Sequence, residues 1–428
     1  MRVSTPLLSF VVAGVLAGSA SPAAGQTNRI DMVSPFAPEL ARFGQYAIGV
    51  RTFEAIDPNR IDIIHTANGQ PNARYDRRFV LEAWYPARLA PGQQPGGAQR
   101  VITRDPTVTA VLYGRAVRGA DPLAASGPYP LIIVSHGYPG NRYLMSHLCE
   151  NLASKGFVVV AIDHPESTYD DQQAFASTLY NRPFDQLFVL NEVARLGRSG
   201  SGSFLAGLVD DTRTGIVGYS MGGYGLVNVI GGGYSDKNVS IENAPPNRLL
   251  AERGAANPDV ARKVDPRIKA AIAIAPWGMQ NGYWDARGLA GIRTPVLFVA
   301  GSADAVARYE TGTKAIFDGA VNAERWLLTY VNANHNAGAP IPAPIETYQY
   351  SDTLKGYPFT HYADAVWDSV RMNNILDHFA TAFFDLFVRG QQDRRTYFEK
   401  DGADFKGFQP RTSVGLLLDH RTAQTAQK

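Results

Sequence analysis

Short, nearly continuous apolar runs recur through the middle of the chain. They are Pro130–Ser135, Gly156–Asp163, Thr214–Tyr219, Ile268–Pro276, Pro295–Ala300 and Arg325–Val331. Each has strand length and lacks the polar alternation of a half-exposed strand, so each reads as a strand buried on both faces. Stretches of helical period separate them, among them Tyr143–Ser154 and Phe184–Arg195, the latter with apolar residues at 184, 187, 188, 190 and 193. Buried strands alternating with helices predict an α/β fold with a mostly parallel central sheet and helices on both faces.

The flanking regions are less regular. Phe43–Phe53 and Arg78–Pro86 read as antiparallel opening strands, the second ended by proline. Residues 87–129, rich in Pro, Gly and Ala, predict a long surface excursion with a short helix around 106–118. Residues 231–267 interrupt the alternation as an insertion, either a lid beside the site or a plain surface loop. A C-terminal extension begins after about 340, with a helix-like stretch around 362–388 and a weakly ordered tail past about 400.

The N-terminus carries Arg2, an apolar stretch from Pro6 to Gly18, and small residues through Ala20, Ala23, Ala24 and Gly25. This is the pattern of a secretory signal peptide, too short for a membrane span. The expected organisation is a signal peptide at 1–25 and a single domain at 26–428, secreted or periplasmic, with no stable membrane anchor. Of the 428 residues 19% are charged, and the formal net charge is +2, which gives no case for nucleic acid as a partner. The lone cysteine, Cys149, excludes an intramolecular disulfide and a cysteine-based metal site. No ligand cluster or phosphate loop appears, so neither a metal nor an organic cofactor is expected.

The chemistry centres on Gly218-Tyr219-Ser220-Met221-Gly222. An apolar run leads into this Gly-x-Ser-x-Gly, and Tyr224, Leu226, Val227, Val229 and Ile230 follow as a helix face. Strand, sharp turn and helix are the context of a nucleophile elbow, in which a strained turn exposes a serine Oγ at the end of a sheet. Such a serine needs a base, a carboxylate to orient that base, and donors for an oxyanion. His335, in the loop after the last strand, is the candidate base, with His361 as its rival. Asp304, in the turn after Pro295–Ala300, is the candidate acid, with Asp285 and Glu310 as rivals. The backbone N–H groups of Met221 and of Tyr138, in Ser135-His136-Gly137-Tyr138, are the candidate oxyanion donors.

Together Ser135-His136-Gly137-Tyr138, Gly218–Gly223, Gly301-Ser302-Ala303-Asp304 and Asn334-His335 resemble the dienelactone hydrolase-like branch of the α/β-hydrolases. That branch borders the platelet-activating-factor acetylhydrolases and the bacterial cutinase-type polyester hydrolases. The opening strands, with Gly49-Val50-Arg51-Thr52 and Glu82–Pro86, are also similar. The resemblance spans roughly residues 40–340 and implies an α/β-hydrolase fold. It also implies that Tyr138 is the oxyanion-loop tyrosine and that Trp277, in Pro276-Trp277, flanks the substrate. The chain departs from the pattern in having Ser220 where true dienelactone hydrolases have cysteine, and in lacking the cutinase-type disulfide. The expectation is a serine carboxylic-ester hydrolase working through an acyl-enzyme on a small-molecule or polymeric ester. The alternatives are a serine peptidase or amidase on the same fold and a non-catalytic binding protein.

Overall fold

In a computed structural model of the protein, which describes residues 27–241 and 244–424, an 11-stranded sheet runs through the centre. Its main strands are β1 (Ala47–Ile61), β2 (Arg74–Arg88), β3 (Tyr129–Ser135), β4 (Val158–Asp163), β5 (Val209–Tyr219), β6 (Ile268–Ile274), β7 (Val296–Gly301), β8 (Arg325–Tyr330) and β9 (Leu416–Arg421). Their order across the sheet is β1-β2-β4-β3-β5-β6-β7-β8-β9. From β4 through β8 neighbouring strands are parallel. The pairs β1–β2, β2–β4 and β8–β9 are antiparallel. The expected mostly parallel sheet with antiparallel N-terminal strands is present. The expected signal peptide at 1–25 lies outside the described residues.

The apolar runs lack polar alternation because both faces are covered. Ile132, Val134, Val159, Val217, Ile272, Val299 and Leu328 point into one core, with helices α1 (Ser146–Ser154) and α5 (Ser369–Phe387). Leu131, Ile133, Val160, Ile216, Ala271, Phe298 and Leu327 point into the other, with α2 (Phe175–Gly197) and α3 (Met221–Val229). Successive residues alternate between two hydrophobic layers rather than between core and water, and burying each large aliphatic contributes roughly 1.5–3 kcal/mol. Helix α4 (Lys314–Gly319) links β7 to β8 on the second face, where Ile316 and Phe317 are buried. Asp368 caps α5 by accepting the Arg371 N–H at 2.7 Å.

Two expectations are corrected. No helix forms around 106–118. Residues 97–102 and 109–114 instead make a β-hairpin that buries Val101, Ala110 and Leu112 by the alternation of a strand pair. The tail from 400 to 424 is ordered: β9 pairs along all of β8, and the His420 ring stacks on Trp326 at 4.3 Å. Phe398 and Phe405 pack beneath it on α5. The tail closes an edge that would otherwise expose β8. The insertion at 231–267, for which the sequence leaves both a lid and a plain surface loop open, packs Leu249 against Ile61, Ile63 and Tyr180 and stacks Tyr234 on Tyr224.

Candidate active site

Strand β5 ends at Tyr219, and α3 begins at Met221. Between them Ser220 holds φ 53° and ψ −112°, a backbone conformation that L-residues adopt only when the surroundings enforce it. The Ser220 N–H donates to Ile274 O at 2.9 Å, and its carbonyl accepts the Trp277 N–H at 3.1 Å, so the end of β6 grips the turn from both sides. The flanking glycines are required by packing. A Cβ on Gly218 would lie 2.3 Å from Gly222 O, and one on Gly222 would lie 2.0 Å from Ser135 O. The turn is therefore wedged between its own helix and the end of β3, where no side chain fits.

Loops after β7 and β8 carry Asp304 and His335. They are laced together by Ser302 N–H to Tyr330 O at 3.0 Å and Ala303 N–H to Ala333 O at 2.9 Å. A Cβ on Gly301 would meet the Ala333 and Asn334 carbonyls at 2.2 Å, so glycine lets the loops touch. His335 Nε2 lies 2.9 Å from Ser220 Oγ, and its Nδ1 lies 2.9 Å from Asp304 Oδ2. The other Asp304 oxygen accepts the N–H groups of Val306 at 2.8 Å and Ala307 at 2.9 Å. One carboxylate oxygen is thus fixed by the backbone and the other is left for the imidazole. The Asp304 side chain is fully enclosed, and that of His335 is 14% exposed.

Among the described residues none of the rivals bonds to Ser220 or His335, which pair with each other and with Asp304. Asp285 caps a helical turn by accepting the Gly288 N–H at 2.9 Å, and Glu310 lies exposed in the turn Tyr309–Thr313. His361 Nε2 sits 2.9 Å from the Tyr169 hydroxyl.

The loop after β3 approaches the serine directly, since a Cβ on Gly137 would lie 3.3 Å from Ser220 Cβ. His136 Nδ1–H donates to Gly137 O at 2.7 Å. The His136 Nε2 accepts the His164 N–H at 3.2 Å, which fixes the tautomer. Arg182, buried on α2, donates to the carbonyls of both His136 and Gly137 and to Ser167 Oγ. In a trans peptide the C=O and N–H point in opposite directions. Holding the Gly137 carbonyl from one side therefore aims the Tyr138 N–H the other way. Neither the Tyr138 nor the Met221 N–H donates within the hydrogen-bond network of the described residues.

A second Ser–His–Asp chain lies beneath this loop. Ser135 Oγ is 2.8 Å from His164 Nε2, and His164 Nδ1 is 3.0 Å from Asp185 Oδ2. Distance alone does not separate it from the first chain; access and backbone do. Ser135, His164 and Asp185 are all buried, and Ser135 sits inside regular strand β3 rather than on a turn. Burial holds the His164 imidazole down to about 3, whereas the paired Asp185 carboxyl is held below the usual carboxylate range by Arg77 despite its burial. An imidazole so placed stays neutral and ties β3 to α2.

A cavity of about 640 Å³ opens over Ser220 and His335. Tyr138, Tyr219, Val306, Asn336 and the segment Leu354–Ala365 of the C-terminal extension contribute to its wall. Among the described residues none of 231–267 lines it, and the extension supplies the wall over the serine. Trp277 is not on the lining either. Its half-buried ring packs on Phe175 and Tyr283, each at 5.4 Å, and Phe175 in turn packs on Tyr138 at 5.2 Å. Sequence reading missed Arg182, Asn336 and the cavity wall at 354–365. Only the Asn334-His335-Asn336 triplet offered a local signal; Arg182 is hidden in an otherwise amphipathic helix.

Sheet order, elbow and loop placement define an α/β-hydrolase fold. Residues 106–247 match the family model described as PET hydrolase-like. The chain is similar to cutinase est1 of Thermobifida alba, 24% identical over 49% of this chain and 54% of that protein. It is also similar to cutinase 2 of Thermobifida cellulosilytica, 26% identical over 44% and 53%. A bis(hydroxyethyl) terephthalate hydrolase of Streptomyces coelicolor is 23% identical over 49% and 52%. The chain thus spans about half the length of these curated relatives. Among solved structures, a ferulic acid esterase from Streptomyces cinnamoneus shares the fold, with a TM-score of 0.53, 21% identity, and coverage of 86% of this chain and 94% of that one. Among the described residues no helix is long and apolar enough to cross a membrane.

Proposed function

We propose that the protein is a serine carboxylic-ester hydrolase, secreted or periplasmic after loss of residues 1–25. Ser220 Oγ attacks the ester carbonyl while His335 Nε2 takes its proton, and Asp304 stabilises the imidazolium and holds its tautomer. The N–H groups of Tyr138 and Met221 receive the oxyanion, each worth about 3 kcal/mol in the transition state. His335 then protonates the leaving alcohol, and water, deprotonated by the same nitrogen, cleaves the acyl-enzyme. Trp277, through Phe175 and Tyr138, extends an aromatic surface beside the cleft against which an acyl or aromatic group can rest.

The observation that carries this reading is the bridge of His335 between Ser220 and Asp304 at 2.9 Å on each side, open to a cavity. The polyester-hydrolase relatives and the shared esterase fold support the ester class. The test is hydrolysis of p-nitrophenyl acetate, butyrate and a long-chain ester by wild type and Ser220→Ala. A loss on the order of 10³-fold or more is expected in the variant. Equal activity in both proteins sinks the assignment.

A further inference from the structure

The cavity over Ser220 carries a charge that the triad chemistry does not use. Arg104 lies on its wall, at the end of the strand Gly97–Ile102. Its backbone N–H donates to the Tyr362 hydroxyl at 2.9 Å, which fastens this turn to the segment covering the serine. Among the described residues its half-buried guanidinium has neither a hydrogen-bond nor an ion-pair partner. Arginines of similar burial elsewhere are paired: Arg142 with Asp163 and Glu82, and Arg60 with Asp57 and Asp185.

Nearby carboxylates are already committed. Asp105 Oδ1 accepts from the Thr107 N–H at 3.0 Å and its hydroxyl at 2.7 Å, and Oδ2 accepts from Ser351 Oγ. Asp364, the acidic residue on the lining, accepts the N–H groups of Asn334 at 2.7 Å, Val366 at 2.8 Å and Trp367 at 2.9 Å. Desolvation and then the Arg104 charge hold His361 down to about 3, so this ring adds no second cation. Tyr138, Leu354, Tyr357, Pro358 and Phe359 supply aromatic and apolar surface on the same wall. A planar guanidinium above an apolar, aromatic cleft is matched to a carboxylate carried on a hydrocarbon or aromatic spacer.

We propose that Arg104 binds a free carboxylate of the substrate, so that the cleft selects hemiesters of dicarboxylic acids over neutral esters. This rests on the serine-esterase reading. The ester end lies at Ser220 and the free acid end at Arg104. Hydrolysis consumes one water and releases the alcohol, the dicarboxylate and one proton. The reaction that supplies such a substrate is a first hydrolysis of a diester, which leaves one acid group free.

The test uses the purified protein in a pH-stat, with monomethyl and dimethyl esters of adipic and of terephthalic acid. Wild type, Arg104→Gln and Arg104→Lys are compared. The Arg104 side chain has no described hydrogen bond to lose, so Arg104→Gln leaves no internal partner unsatisfied. Wild type is expected to favour the monoesters in kcat/KM by about tenfold or more, a preference that shrinks as salt rises from about 0.05 to about 0.5 M. Arg104→Gln should lose about tenfold on monoesters, mainly through KM, and less than about threefold on diesters. Arg104→Lys should keep part of the preference. Monoesters no better than diesters in wild type overturn the proposal, as does an equal loss on both substrates in Arg104→Gln. Absence of turnover of any ester by wild type overturns the esterase reading itself, whereas brisk diester turnover without monoester preference overturns only the role of Arg104.

Discussion

The Tyr219 hydroxyl donates to Asn336 Oδ1 at 3.1 Å, joining the residue before Ser220 to the residue after His335. Asn336 Nδ2 donates onward to Ala363 O at 2.6 Å and Thr360 O at 3.3 Å. One buried amide thus holds the elbow, the His335 loop and the cavity wall in register. Asn336→Ala leaves a buried hydroxyl without its acceptor and two carbonyls without their donor. We expect a loss of about 1–3 kcal/mol in stability. A fall in kcat of about tenfold should accompany it as the His335 loop loosens. Thermal melting and ester kinetics on the same preparation check both; an unchanged melting temperature contradicts the coupling.

In the proposed mechanism Arg182 acts at one remove from the chemistry, by holding the Gly137 carbonyl whose peptide carries the Tyr138 N–H. Arg182→Lys keeps a cation but loses the fork that reaches two carbonyls and Ser167 together. The expected result is a drop in kcat of about 10–100-fold with KM nearly unchanged, because the lost interaction is made only with the oxyanion. A rise in KM alone would assign Arg182 to ground-state binding instead.

The elbow glycines should tolerate nothing larger. In Gly222→Ala the new methyl would meet backbone, Ser135 O at 2.0 Å, which cannot swing aside. Destabilisation beyond about 3 kcal/mol, or failure to accumulate in soluble form, is expected. Gly356→Ala is the control, since its Cβ would find Leu354 O only at 4.0 Å. That variant should melt within about 0.5 kcal/mol of wild type.

Glu150 on α1 predicts a pH dependence of stability separate from catalysis. Burial pushes its carboxyl up to about 7, although the Arg115 and Ala116 N–H groups donate to it and favour the charged form. The folded state therefore binds a proton more tightly than the unfolded chain, whose value is 4.5. Between these values folding takes up protons, so the Glu150 contribution to stability falls as pH rises from about 4.5 to about 7. Glu150→Gln should remove that pH dependence, a change of at most about 3 kcal/mol summed across the window, read from urea denaturation. The same slope in both proteins contradicts the assignment.

Much of the sheet was legible because its strands are buried on both faces and spell themselves out as unbroken apolar runs. β9 was not, because an edge strand buries only part of its residues; Leu416 is buried while Leu417 is 53% exposed. The hairpin at 97–114 was hidden because its two strands are only six residues each and sit within a Pro-, Gly- and Ala-rich stretch. Among the candidate site residues, Ser220, Asp304 and His335 stood out because each follows a strand in the order Ser, acid, His. Arg182, Asn336 and Arg104 did not, because their significance lies in which carbonyl, hydroxyl or cavity they face. The second Ser–His–Asp chain makes the same point from the other side: Ser135, His164 and Asp185 have triad distances and no access.

The central claim, that Ser220 is the nucleophile, is tested most directly by covalent capture. Wild type incubated with diethyl p-nitrophenyl phosphate should gain a single diethylphosphoryl group, located by peptide mass spectrometry on Ser220, with ester hydrolysis lost in proportion. Ser220→Ala should gain none. An adduct on another residue, or an unmodified Ser220 in a protein whose esterase activity has been abolished by the reagent, would contradict the account.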